Sequence, residues 1–243
     1  MTIHSVATSA TSSLPPTRLR GASRQPASAA ASAGKAATGS ADKRAAILEA
    51  ATAIFAERGF FTAQVADIAR GAGIAAGTVY LYFRSKDEIL TSIFDRTMKD
   101  AIAEGRAAVA GVKDPRERLL RIARLHLTRL GRDRNLAIVF QVELRQTTKF
   151  MERFSTTGLG DYLLLIQETI EQGQARGRFR KSLNARTAAK VFFGALDEMA
   201  TNWILSRRRY ALAQQADDVV DLIVGGLGRR ESERGAGAPA SKR

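Results

Sequence analysis

Residues 65–86 read VADIARGAGIAAGTVYLYFRSK, and this stretch decides the fold that we expect. Its apolar residues have the spacing of two short helices that share a small core, roughly Gln64–Gly71 and Ala75–Phe83. Ile68 and Ala69 lie on the first helix and Val79 on the second. Gly73 lies between them, where the missing Cβ atom permits the left-handed backbone of a tight turn. The stretch therefore predicts a helix-turn-helix motif.

The residues left outside this small core have the chemistry of a DNA-reading surface. Ala76 and Gly77 begin the second helix, and their small size lets the backbone approach a groove closely. Thr78 offers a hydroxyl and a methyl group, and Lys86 begins the following helix, where it can hold a phosphate. We therefore expect the motif to bind double-stranded DNA.

The rest of the chain also has helical periodicity, without a convincing strand pattern. An apolar stripe begins after Ser40 or Asp42 and ends at Gly59. Ser85 to Glu88 form a capping box that opens a long helix, and Asp114 caps the next one. Further helices are predicted over residues 135–148, 162–176, 184–206 and 211–228. We expect an all-α fold of about nine helices, in which a three-helix helix-turn-helix module precedes a helical body.

The tails and the domain boundaries follow from composition. Residues 1–40 are rich in Ala and Ser and contain no Asp or Glu, so we expect a disordered tail; a transit peptide is the weaker alternative. The DNA-binding domain is expected over 41–87, the ligand-binding and dimerisation domain over 88–228, and a flexible tail over 229–243. No apolar run is long enough to span a bilayer, so we expect no membrane partner.

Charge and composition restrict the function. The 38 Lys and Arg against 24 Asp and Glu give a net charge of +14, which suits nucleic acid, although a generally basic proteome remains an alternative. Cys is absent, which excludes disulfides and cysteine chemistry and favours a cytoplasmic location. His4 and His126 are the only histidines, so we expect neither a metal site nor an enzyme.

The stretch from Ile47 to Leu90 resembles the N-terminal signature of the TetR family of bacterial repressors. The resemblance implies that Gly77, Thr78 and Tyr80 lie in the major groove, whereas Gln64, Tyr82 and Lys86 contact phosphates. For the two tyrosines, simple packing against the core remains an alternative. The family often has Ser or Thr where this chain has Gln64 and Ala75, and each lost helix cap costs about 1 kcal/mol.

Three stretches of the body are similar to one branch of that family, the acyl-CoA-responsive repressors of fatty-acid degradation genes. They are 140–146 (FQVELRQ), 177–179 (GRF) and 193–198 (FGALDE), the last followed by Trp203. The similarity implies a repressor that a long-chain acyl-CoA releases from its operator, with no cofactor. A repressor that senses a drug or another lipophilic cation is the alternative, because Glu143 and Asp197 could supply its acidic wall.

Aromatic and ionisable residues on apolar helix stripes are the candidates for the effector site. The candidates are His126, Phe140, Glu143, Phe150, Tyr162, Ile166, Phe193, Asp197 and Trp203. An apolar wall with a few polar groups is typical of a ligand pocket, but aromatic residues at helical spacing also fill cores. For His126 a core role remains an alternative, and for Glu143 a buried ion pair. The nearest candidate partners in sequence for the buried carboxylates are Arg145, Arg121 and Arg124.

The final two predicted helices carry a signal for assembly. Their apolar stripe comprises Leu212, Ala216, Val219, Val220, Ile223 and Leu227, and the small residues beside it are Gly194, Ala195, Gly225 and Gly226. This pattern fits a symmetric four-helix bundle between two chains, with packing inside one chain as the alternative. We expect a homodimer that binds a palindromic operator.

Overall fold

A computed structural model describes residues 27–146, 150, 152, 158–208 and 210–227, with side chains from residue 39 onward. The chain divides into two compact units, Met1–Ser40 and Ala41–Arg243, and every contact given below lies within the second. Most of the predicted N-terminal tail and the whole predicted C-terminal tail, residues 229–243, lie outside the described residues.

Helix α1 spans Ala27–Arg58 and begins earlier than the sequence predicted. The structure places Ala27–Ser40 in this helix, where we expected the end of a disordered tail that would reach Ser40. The physical reason is that the segment is rich in alanine, the residue with the highest helix propensity. It also contains no proline, since Pro26 immediately precedes it. The helix ends before Gly59, whose φ of 76° supplies the predicted stop.

The predicted helix-turn-helix motif is present. Helix α2 spans Val65–Gly71, helix α3 spans Ala76–Val79, and Gly73 between them has a φ of 67°. The two helices pack on α1 through a small core that comprises Ile47, Ala51, Phe55, Ile68, Ala69, Val79 and Phe83. Helix α3 is shorter than the predicted Ala75–Phe83, because the chain turns after Val79 and Phe83 returns to this core.

Four elements form the first half of the body. Helix α4 spans Lys86–Val109, and the Ser85 side chain accepts a hydrogen bond from the Glu88 amide, as the capping box predicted. Helix α5 spans Pro115–Arg132, and α6 spans Arg134–Gln141. We predicted one helix over 135–148, but the structure ends α6 at Gln141 and continues with a 3₁₀ helix, Glu143–Gln146.

The second half of the body consists of helix α7, Gly158–Ala175, helix α8, Ala185–Leu205, a 3₁₀ helix, Leu212–Gln214, and helix α9, Gln215–Leu227. Helices α4, α5, α7 and α8 surround a common core. The described residues thus form nine α-helices and two 3₁₀ helices without a strand, which confirms the predicted all-α class. None of the described helices has the length and apolar character needed to cross a membrane.

Candidate functional site

The predicted DNA-contacting residues lie on α3 and beside it. Gln64, Ala76, Gly77 and Tyr80 are exposed, and Thr78, Tyr82 and Lys86 are half-buried. Gln64 and Ala75 are the N-cap residues of α2 and α3, and neither side chain makes a capping hydrogen bond, as expected from residue types other than Ser or Thr. Leu81, two residues after the end of α3, is also exposed, although the sequence analysis did not single it out.

Lys86 has a structural role that the sequence did not reveal. Its ammonium donates hydrogen bonds to the carbonyl oxygens of Phe61 and Ala63, at 2.9 Å each, and lies 4.8 Å from the ring centroid of Phe60. Burial lowers the pKa of this amine. A lysine has three N–H donors, so the predicted phosphate contact would use the third. That contact stays a prediction.

The body contains a cavity of about 270 Å³ between α4, α5, α6, the following 3₁₀ helix, α7 and α8. Its apolar walls comprise Met98, Ala101, Ile122, Leu125, Leu130, Phe140, Leu144, Leu159 and Phe193. Of the predicted effector residues, His126, Phe140, Tyr162, Phe193 and Asp197 line this cavity. A concave, largely apolar space with a few polar groups is the usual form of a small-molecule site.

The other predicted effector residues do not line the cavity. Ile166 is fully buried in the core on α7, and the Trp203 indole donates a hydrogen bond to the Tyr210 carbonyl oxygen at 3.0 Å. Phe150 packs against Phe60, with ring centroids 5.1 Å apart. Periodicity placed these residues on buried helix faces, but it could not show which buried face borders an empty space.

Two ion pairs line the cavity. Arg129 on α5 pairs with Glu104 on α4 at 2.6 Å, and Arg145 pairs with Asp197 on α8. Gln141 also donates a hydrogen bond to Asp197 at 2.8 Å. Arg145 was one of the partners that we expected for the buried carboxylates, whereas Glu104, Arg129 and Gln141 were missed because their partners are distant in sequence.

His126 and Tyr162 form a polar pair inside the otherwise apolar part of the cavity. The His126 Nδ1 atom lies 3.2 Å from the Tyr162 hydroxyl oxygen, and Nε2 is buried without a hydrogen-bond partner among the described residues. Burial lowers the pKa of His126 to about 4 and raises the pKa of Tyr162. Both side chains are therefore neutral at pH 7.

Glu143 joins the body to the DNA-binding module. The side chain is buried, and its carboxylate accepts hydrogen bonds from the Phe60 backbone amide at 2.6 Å and from the Gln146 side chain at 2.8 Å. These partners replace the arginine ion pair that the sequence left open. The 3₁₀ helix that carries Glu143 also carries Leu144 and Arg145, which line the cavity. One short element therefore contacts both regions.

The apolar stripe of α9 packs inside the chain. Leu212, Ala216, Val219, Val220 and Leu227 are buried in the core, so they are not available to a second chain. Leu164, Val191, Leu205 and Leu222 are instead exposed on the opposite sides of α7, α8 and α9. A Cβ atom at Gly194, Gly225 or Gly226 would meet nothing within 4 Å. The expected dimer contact stays a prediction, and these exposed residues are its candidates.

Two family models match the chain over adjoining ranges. The model described as bacterial regulatory proteins, tetR family, matches residues 47–93. The model described as YsiA-like protein, C-terminal region, matches residues 94–226. Together these ranges cover both the helix-turn-helix module and the helical body.

Similar proteins come from two species of Bacillus. The fatty acid metabolism regulator protein of Bacillus subtilis is 34% identical over 181 residues, which are 74% of this chain and 93% of that protein. A crystal structure of FadR from Bacillus subtilis in complex with stearoyl-CoA has a TM-score of 0.71, with 34% identity over 75% of this chain and 98% of that one. The fatty acid degradation regulator FadR from Bacillus halodurans has a TM-score of 0.73, with 37% identity over 77% of this chain and 97% of that one.

Proposed function

The chain belongs to the TetR family of bacterial transcriptional regulators, and from that premise we propose that it is a repressor that a long-chain acyl-CoA releases from DNA. The observation that carries the proposal is the apolar cavity with paired charges in the body of a chain similar to a stearoyl-CoA-binding regulator. The regulated genes would be those of fatty-acid metabolism. We propose no cofactor and no enzymatic activity, and a cytoplasmic location beside the DNA.

The chemistry of the cavity supports an acyl-CoA. Its apolar walls suit a fatty acyl tail, because each buried methylene contributes about 0.8 kcal/mol. Arg129 and Arg145 also line the cavity, and each is held by a carboxylate, Glu104 and Asp197 respectively. The phosphates of coenzyme A would compete with these carboxylates for the guanidinium groups, since arginine binds both kinds of anion in the same fork geometry.

A lipophilic cation remains the second candidate, because the same carboxylates could hold it. In the structure, however, Asp197 is neutralised by Arg145 and is hydrogen-bonded to Gln141. A cationic ligand would have to displace the Arg145 guanidinium from Asp197, which only replaces one positive charge beside the carboxylate by another. Because an anionic ligand would likewise have to displace the carboxylates, our preference for the acyl-CoA rests on the similarity to a regulator crystallised with stearoyl-CoA.

DNA binding would use one reading helix from each of two subunits. A two-fold axis places the two α3 helices in successive major grooves about 34–36 Å apart, or at a multiple of that spacing, so the operator would be palindromic. The exposed apolar residues on α7, α8 and α9, represented by Leu164, Val191 and Leu222, are the proposed contact between the subunits.

The 3₁₀ helix is the proposed connection between ligand and DNA. If the effector engages Arg145 and fills the space beside Leu144, the 3₁₀ helix must adjust, and Glu143 would shift against the Phe60 amide. Phe60 lies in the loop between α1 and α2, and Lys86 at the start of α4 holds this loop by hydrogen bonds to Phe61 and Ala63. A ligand that prefers the shifted arrangement would lower the population that binds DNA.

Calorimetric titration with palmitoyl-CoA tests the ligand proposal. We expect saturable binding of palmitoyl-CoA by the wild type and little binding of free coenzyme A. Ala101→Trp should abolish binding because Ala101 lines the cavity, whereas Ala103→Trp, an exposed position on the same helix, should leave it intact. Equal loss in both variants, or binding of a hydrophobic cation but not of palmitoyl-CoA, would contradict the proposal.

A further inference from the structure

The unpaired nitrogen of His126 is an unusual feature of the cavity. A buried polar atom without a hydrogen bond costs about 1–3 kcal/mol, so such atoms in a native protein commonly have a role. His126 lines the cavity, and the rings of Tyr162 and Phe193, both lining residues, pack against it at centroid distances of 5.8 and 5.9 Å. His126 therefore belongs to the cavity wall, although neighbouring atoms cover Nε2 itself, and a small rotation of the ring would bring this nitrogen to the space that a ligand would fill.

The pair of His126 and Tyr162 leaves one hydrogen-bond donor unused in either tautomer. If the tyrosine hydroxyl donates to Nδ1, the imidazole proton is on Nε2 and has no acceptor within the described part of the chain. If Nδ1 instead donates to the tyrosine oxygen, the hydroxyl proton is the unused donor. Neither donor is charged at pH 7, so the pair suits a neutral acceptor better than a carboxylate, whose burial without a counter-charge is costly.

The position of His126 along α5 indicates which acceptor fits. Ile122, His126 and Arg129 line the cavity on successive turns of the helix, and each turn advances about 5.4 Å. Leu125 and Leu130 line it as well, so His126 is a neutral donor among apolar residues and lies within one turn of the cation Arg129. A fatty acyl thioester carries one neutral acceptor, its carbonyl oxygen, at the point where the hydrocarbon tail joins the polar arm of the coenzyme.

Resting on the function proposed above, we propose that His126, oriented by Tyr162, donates a hydrogen bond to the thioester carbonyl oxygen of the acyl-CoA. The bond fixes how deeply the acyl chain enters the cavity, because the carbonyl must stop at this turn of α5. His126 thereby distinguishes a thioester from ligands of equal length that lack an acceptor. A site built around a buried donor rejects an analogue that leaves the donor unpaired.

The test compares palmitoyl-CoA with S-hexadecyl-CoA, a thioether that keeps the tail and the coenzyme but has no carbonyl oxygen. We expect the wild-type protein to bind the thioester about tenfold more tightly, which corresponds to about 1.4 kcal/mol. His126→Leu should bind both ligands with similar affinity. His126→Gln keeps an amide donor and should retain part of the preference, which separates hydrogen bonding from packing.

Phe193→Leu is the matched control, because Phe193 lines the same cavity and offers only apolar surface. This variant should weaken the binding of both ligands equally and leave the ratio of their two affinities unchanged. Equal binding of the two ligands by the wild type would overturn the role of His126 and leave the acyl-CoA proposal standing. Failure of the wild type to bind either ligand would overturn the acyl-CoA proposal itself.

Discussion

Replacement of Glu143 should weaken both the fold and the communication between the cavity and the DNA-binding module. The carboxylate accepts two hydrogen bonds, from the Phe60 amide at 2.6 Å and from Gln146 at 2.8 Å. Hydrogen bonds to a charged group contribute about 1.5–3 kcal/mol each, but burial of the charge offsets part of this. Glu143→Leu removes both bonds and leaves the Phe60 amide without its acceptor, so we expect the free energy of unfolding to fall by about 2–4 kcal/mol.

The same variant separates ligand binding from DNA release, because Glu143 does not line the cavity. Calorimetry should give a nearly unchanged affinity for palmitoyl-CoA, whereas the ligand should reduce DNA affinity much less than in the wild type, as measured by fluorescence anisotropy of a labelled operator. Urea titrations give the stability change. Glu143→Gln keeps one acceptor oxygen, so its stability and its response to the ligand should lie between those of the wild type and those of Glu143→Leu.

Glu168→Gln provides the matched control. Glu168 is a glutamate that accepts a hydrogen bond from the Arg106 guanidinium at 3.3 Å, but both side chains are substantially exposed. Exposed ion pairs contribute about 0–1 kcal/mol, so stability and coupling should barely change. If Glu143→Leu were as stable as the wild type and equally responsive to ligand, the assigned role of the 3₁₀ helix would be wrong.

Three further predictions concern pH, packing and assembly. The pKa of His126 is lowered from 6.5 to about 4 in the folded state, so between pH 6.5 and pH 4 the unfolded state binds more protons than the folded state. The free energy of unfolding should therefore fall by up to about 3 kcal/mol as the pH drops through this range. Urea titrations of His126→Leu should show no such histidine-dependent loss of stability. Gly173→Ala should destabilise by about 1–3 kcal/mol, because a Cβ atom there would lie 2.2 Å from the Phe179 ring, and an unchanged thermal midpoint would refute this packing. Leu222→Arg should yield monomers in sedimentation experiments, whereas Leu81→Arg, at a similarly exposed leucine (78% and 82%), should remain dimeric. A dimeric Leu222 variant would exclude the proposed contact.

Local signals predicted the DNA-binding module and most helix starts. The spacing around Gly73 and the capping residues Ser85 and Asn184 act over a few residues, so the sequence alone reveals them. The 3₁₀ helix after Gln141 was not predicted, because the Leu136, Val139 and Phe140 stripe continues smoothly into Leu144. An apolar stripe shows that a face is buried without showing its partner, which explains why the α9 stripe was assigned to the dimer.

The cavity required the tertiary structure. Its ion pairs join residues on different helices, and the Glu143 carboxylate meets the amide of Phe60, 83 positions earlier in the chain. Residue type marked His126, Tyr162 and Asp197 as candidates, because polar groups on apolar stripes need partners. Nothing in the sequence showed that Arg129 would join them, since arginine at the end of a helix is usually solvated.

The most direct test of the account is the release of DNA by acyl-CoAs of increasing chain length. A duplex selected by the protein from random DNA is labelled, and its fluorescence anisotropy is followed during titration with each acyl-CoA. Release should need less ligand as the chain lengthens, because each buried methylene adds about 0.8 kcal/mol, and free coenzyme A should release little. A DNA complex that stays intact with every acyl-CoA and dissociates with hydrophobic cations would contradict the account.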